Sequence, residues 1–302
     1  MSLKNRQFFS IFATLVIIFL IFRKGNFNDL YEVLNNINVL YLFLALLAYI
    51  FFTTLIGFRF HFLTENQISF FRVLKCHFGS MLLSDVTPGR LGYFTIVHHL
   101  KDEIGVEEST NYVLLGQLND FANKLFSIIV FSYILGSALI DENTMKFVSV
   151  FTIFCLFLLF ALTYGIGMDF IFAKIKSTNK VFIFLNKIRN HAIYDITKLL
   201  KFISITTFAW FFLGLFWYFS ALSLGIDNFT IFYHMILQGL ASVLSFLPFL
   251  IGGIGLQEAT LVTILNMEGI DYDLVLGFVI LTRGLNITLD FLLGIRYIWG
   301  SK

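Results

Sequence analysis

Predominantly apolar runs occupy residues 8–22, 39–58, 112–140, 147–172, 202–222 and 274–298. Each predicts a membrane-spanning helix, because about 20 residues rising about 1.5 Å apiece cover a hydrocarbon core of roughly 30 Å. The first run is short and follows Lys4 and Arg6, as a signal-peptide core would. It is followed by Phe22, Arg23 and Lys24 rather than by a small-residue cleavage pattern, so it reads as a retained span. Two further segments, 72–100 and 232–267, behave differently, since a proline and a glycine cluster cut each into pieces too short to cross alone. The only two prolines are Pro88 and Pro248, followed by Gly89 and Gly92 in one case and by Gly252, Gly253 and Gly255 in the other. Proline removes a backbone donor and glycine releases helical geometry. Backbone freed at membrane depth is tolerated only inside protein or beside a wet cavity. Each segment therefore predicts a re-entrant hairpin of two half-helices, and the two breaks predict two halves of one site.

The pattern repeats. Residues 1–140 read span, span, hairpin, span, and residues 147–298 read the same again. Three crossings are an odd number, so the second copy is expected upside down within a single membrane domain. Gly89-Arg90-Leu91-Gly92 aligns with Gly252-Gly253-Ile254-Gly255. In the span after each hairpin, Gln117, Asp120 and Lys124 recur in spacing as Arg283, Asn286 and Asp290, on one helical face. The fold expected is all-α and polytopic, with two inverted repeats of three spans and one hairpin each. Broken helices meeting near the midplane are an architecture of alternating-access carriers.

Composition and charge agree. The chain is 58% hydrophobic and 13% charged, outside the range of soluble domains, with a mean hydropathy of +0.84. With the N-terminus inside, fifteen of the 21 Lys and Arg, Arg59 among them, fall on the cytoplasmic side. Arg23, Lys24 and Lys146 fall outside, and Arg90, Lys124 and Arg283 within the membrane. This positive-inside bias places both termini in the cytoplasm and the chain in the cytoplasmic membrane. The basic stretch 174–201 carries Val181, Phe182, Leu185 and Ile188 at helical spacing, as a segment lying on the inner leaflet does. Cys76 and Cys155 lie far apart in apolar runs and read as core. No metal-ligand spacing, phosphate-cradling loop or nucleophile elbow is present, so no metal, cofactor or nucleic-acid partner is expected.

Pro88-Gly89-Arg90-Leu91-Gly92-Tyr93, and Pro248 through Gly252, Gly253, Gly255 and Glu258, resemble the two motifs of the flippase-like membrane domain of lysylphosphatidylglycerol synthases and its stand-alone relatives. Gln117 with Asp120, and Arg283, resemble that family's positions in the following spans. Tyr93 stands where the family carries an acid, and Gln117 and Gln257 where it tends to carry arginines. The resemblance implies translocation, without covalent chemistry, of a lipid with a charged or glycosylated head.

An ionisable residue inside the membrane usually faces a cavity or a partner. Arg90 either holds a lipid phosphate through its guanidinium or ties Asp85 or Asp120. Arg283 either contacts phosphate or pairs with Glu258, and Glu258 either caps its half-helix or couples to substrate. Asp120 and Lys124 can pair along one helix, and Asp290 shares the stripe of Arg283. The substrate-contacting set expected is Arg90, Arg283, Glu258, Asp120, Asp85 and Asp290. Membrane lipids are the expected partners of a translocator. An accessory subunit that docks a glycosyltransferase or lipid-modifying enzyme through 174–201 is the alternative. A membrane-embedded enzyme would need a nucleophile and base in contact, and Asp85 with His77 is the one pair the sequence offers.

Overall fold

The computed structural model describes residues 19, 23–87, 90–135, 142–164, 195–244 and 255–300. Most of the first predicted span, most of 174–201, and Pro88, Gly89, Pro248, Gly252 and Gly253 lie outside the described residues. What is described is helical: α1 (Phe27–Asn35), α2 (Val39–Leu63), α3 (Phe70–Asp85), α4 (Thr95–Ile104), α5 (Val106–Leu135), α6 (Glu142–Tyr164), α7 (Ile196–Ser223), α8 (Ile231–Leu244), α9 (Leu256–Met267) and α10 (Tyr272–Gly300), with a 3-10 turn at Leu91–Phe94.

The helices begin where polar side chains can take the first amides. Asn38 Oδ1 accepts from Leu40 and Tyr41 at the start of α2, and Asp195 accepts from Thr197 at the start of α7. Both helices, and residues Tyr272–Ile295 of α10, are long and apolar enough to cross a membrane by themselves. The 30 residues of α5 cover about 45 Å. By contrast α3, α4, α8 and α9 have 16, 10, 14 and 12 residues, so none reaches the roughly 30 Å of a hydrocarbon core.

The packing order follows from these lengths. The long pair α2 and α7 pack against each other along their length, and the short helices pack against the long ones. Helix α3 seats on α10, and α8 seats on α5, each far away in sequence. Close approach makes the first of these seats: a Cβ on Gly294 would stand 2.6 Å from the Phe78 carbonyl oxygen of α3, so only glycine fits there. At one end of the bundle the Asn38 amide donates to the Ser223 carbonyl, and the Asn26 amide to Asp273. At the other end Lys198 pairs with Glu65, and Arg72 with Glu103.

Burial departs from that of a soluble protein at both surfaces of the bundle. Phe43 and Phe51 on α2, Val150, Ile153 and Phe157 on α6 and Phe208 on α7 face outward, whereas Arg59, His77, Asp85, Lys124 and Asp290 are buried. An apolar exterior around a polar interior suits a lipid solvent. Cys76 and Cys155 are buried and free, as their apolar surroundings predicted.

Candidate functional site

The first interruption frees backbone groups just after α3, and two threonines take them up. Thr87 Oγ1 donates to the Leu83 carbonyl at 3.0 Å and accepts from the Gly92 amide at 2.6 Å. Thr95 Oγ1 donates to the Gly92 carbonyl at 2.7 Å. A Cβ on Gly92 would lie 2.1 Å from the Leu83 carbonyl oxygen, so the turn closes only around glycine. Arg90 sits at this elbow in the left-handed region, φ 58, unusual for a residue with a side chain. That conformation points its guanidinium back at Asp85, 3.3 Å away.

The second interruption ends on Gly255, φ 97, whose amide donates to Glu258 Oε2 at 2.5 Å. Glu258 thus caps α9, and its other oxygen faces Arg283 Nε at 3.6 Å. Capping and pairing, two of the readings open from sequence, are both present.

Asp120 carries a correction. Its carboxylate is gripped by both guanidinium nitrogens of Arg59, one at 3.1 Å, and Arg59 also donates to Thr206. Arg59 therefore lies inside the bundle, 3% exposed, and does not belong to the cytoplasmic set. The sequence reading ended the second span at Phe58, yet Phe60, His61, Phe62 and Leu63 continue the helix, and that continued run was the available signal. Asn119 extends the network to the same threonine, and Asn123 to Thr207, so α2, α5 and α7 are joined by polar contacts. Lys124, on the next turn of α5, stands over the Trp210 ring at 5.4 Å.

Asp290 lies just behind the wall rather than on it. The Tyr49 hydroxyl meets both its oxygens at 3.0 Å, and its carboxyl lies against that of Asp85. His77, on the same helix as Asp85, places its Nδ1 at 3.0 Å from the Tyr93 hydroxyl.

Between these groups is a cavity of about 90 Å³, room for several water-sized groups. The first interrupted segment supplies His77, Asp85, Arg90 and Tyr93, and the second supplies Gln238, Ser242 and Gln257. Helix α5 adds Gln117, Asp120 and Lys124, and α10 adds Arg283 and Asn286. Tyr49, Phe52, Trp210 and Trp217 form the aromatic side. Of the residues expected at a substrate site, Asp85, Arg90, Asp120 and Arg283 share this wall. Glu258 and Asp290 brace it from behind. The aromatic side and Gln238 were missed, since nothing in an apolar run distinguishes an inward-facing tryptophan from one facing lipid.

A helical bundle with an apolar exterior and a cavity lined by polar side chains from both interrupted segments defines an integral membrane protein. Residues 7–294 match the lysylphosphatidylglycerol synthase TM region, and the chain belongs to that family. No curated protein matches it.

Proposed function

We propose that this protein moves a lipid with a phosphate-bearing polar head between the leaflets of the cytoplasmic membrane, without covalent chemistry. The head passes through the cavity while the acyl chains stay in lipid. The observation that carries this reading is the single cavity lined by Asp85 and Arg90 of one interrupted segment and by Gln238 and Gln257 of the other. Three cations, Arg90, Lys124 and Arg283, reach its wall, and each can offer a charge-assisted hydrogen bond to a phosphate.

The same reading takes the molecule as two inverted copies, each with three spans and a re-entrant hairpin. The exchanged seats of α3 on α10 and α8 on α5 are what a two-fold axis in the membrane plane would produce. The polar caps Asn38 and Asp195 and the glycines Gly57 and Gly214 add to it, each glycine nineteen positions after its cap and each facing the half-helix that follows its own span. Membership in a family named for lipid synthesis favours a lipid partner over a docking role.

The test is reconstitution of the purified protein into liposomes carrying a fluorescent phosphatidylglycerol, with an impermeant quencher reporting leaflet exchange. Protein-dependent exchange is expected, and Arg90→Ala and Arg283→Ala should each slow it at least about ten-fold, since each removes a partly buried cation from the cavity wall. Wild-type rates in both variants would discard the site.

A further inference from the structure

Where α3 seats on α10, two acids face each other. Asp290 is 1% exposed and Asp85 5%, and their carboxyl groups are in contact. The Tyr49 hydroxyl reaches both oxygens of Asp290, and Arg90 reaches Asp85 Oδ1 at 3.3 Å. Asp85 Oδ2 remains, buried and without a protein donor. Carboxylate oxygens only accept hydrogen bonds, so two ionised carboxylates in contact repel, whereas a carboxylic acid donates to its neighbour. A single proton held between Asp85 and Asp290 turns this contact into a hydrogen bond and answers the buried oxygen.

The surrounding charges agree with one proton. With it the pair carries one negative charge, and Arg90 is the cation that faces it. The other charged groups about the cavity are engaged among themselves, Asp120 with Arg59 and Arg283 with Glu258. Lys124 stands over Trp210 one turn along from Asp120, and His77, two turns before Asp85, lies against Tyr93. Arg90 is also the more open partner of its pair, its side chain 27% exposed against 6% for Asp85, so it is the member able to turn toward the cavity.

Resting on the translocation reading above, we propose that Asp85 and Asp290 form a proton-binding site and that each phosphate-bearing head crosses together with one proton. A phosphate that draws the Arg90 guanidinium off Asp85 leaves the carboxyl pair with an uncompensated charge in apolar surroundings. The pair then takes a second proton from cavity water, so that each carboxyl holds one. When the head departs, Arg90 returns to Asp85 and that proton leaves. Asp85 and Tyr49 both line the cavity and supply the route. For a head of one negative charge the combined passage is electrically neutral.

Infrared spectroscopy of the intact, purified chain at neutral pH tests the site without reference to transport. The carbonyl stretch of a protonated carboxylic acid, distinct from that of a carboxylate, is expected in the wild-type chain, and Asp85→Asn and Asp290→Asn should each remove it. Tyr49→Phe, which takes one hydrogen bond from Asp290 and keeps the ring, should shift the same band, and it supplies an answer if the asparagine variants fail to fold. A wild-type chain without the acid band, or a band that none of the three variants alters, would overturn the proton site. Coupling is read in the liposomes carrying fluorescent phosphatidylglycerol, with protein-free liposomes as the control. A gradient of one pH unit should bias the label up to about ten-fold toward the alkaline leaflet, and a membrane potential alone should not. Protein-dependent exchange that ignores the pH gradient would overturn the coupling and leave translocation standing. An acid band altered by the variants in a protein that exchanges no lipid would keep the proton site and remove the translocation reading instead.

Discussion

Four residues marked the site in the sequence for one reason: Asp85, Arg90, Asp120 and Arg283 are ionisable groups placed where an apolar solvent penalises charge. Their partners were harder to see. Asp85 and Glu258 were open alternatives because they lie near Arg90 and Arg283 in the chain or at a helix start. Arg59 was missed because its partner is 61 positions away and the predicted span ends at Phe58, five residues before the helix does. Tyr49, Trp210 and Gln238 carry no charge and left no mark at all. The Arg59–Asp120 pair yields the prediction at this scale. Removing one partner of a buried ion pair strands the other charge, so Asp120→Ala should cost about 3–5 kcal/mol of stability. Adding Arg59→Met should recover part of that loss, because the stranded cation is then gone as well. Thermal unfolding of the two variants in one detergent measures the difference, and an equal or larger loss in the double variant would show that the pair matters through its shape rather than its charge.

Among the elements, the long helices were legible nearly to their ends. Apolar length fixes them, and α5, α6 and α7 start about five or six residues ahead of their predicted bounds, as at α7, where Asp195 caps the helix before its apolar stripe begins. The half-helices were legible as interruptions but not as folded objects. Nothing in the sequence read Thr87 as the residue that holds the first elbow closed, because a threonine beside a proline reads as an ordinary turn residue. In the structure it satisfies two backbone groups at once. Thr87→Val keeps the shape and removes both bonds, so it is expected to cost about 1–3 kcal/mol through the amide and carbonyl left unpaired. Thr87→Ser should cost far less. A valine variant as stable as the parent would mean that the elbow's backbone finds other partners.

For the whole molecule, the order of crossings is the open expectation, and the two ends of the bundle make it testable. Asn26, Asn38, Ser223 and Asp273 gather at one end, and Glu65, Arg72, Glu103 and Lys198 at the other. The positive-inside pattern predicts the second end to be cytoplasmic, an expectation that periodicity alone could not supply. With Cys76 and Cys155 replaced by Ala, single cysteines at Asn28 and Asp227 should react with an impermeant maleimide on intact cells. Those at Asn66 and Asp102 should react only after the membrane is opened. Equal labelling of both sets would remove the assigned orientation.

The seat of α3 on α10 has a consequence for how the chain is made. A ribosome releases residues 70–85 long before residues 272–300, so α3 waits without its seat until the last helix arrives. Neither half is then a folding unit. A chain stopped before residue 272 should be unstable and open to proteases at its first elbow, and the two halves made as separate polypeptides should survive only when produced together.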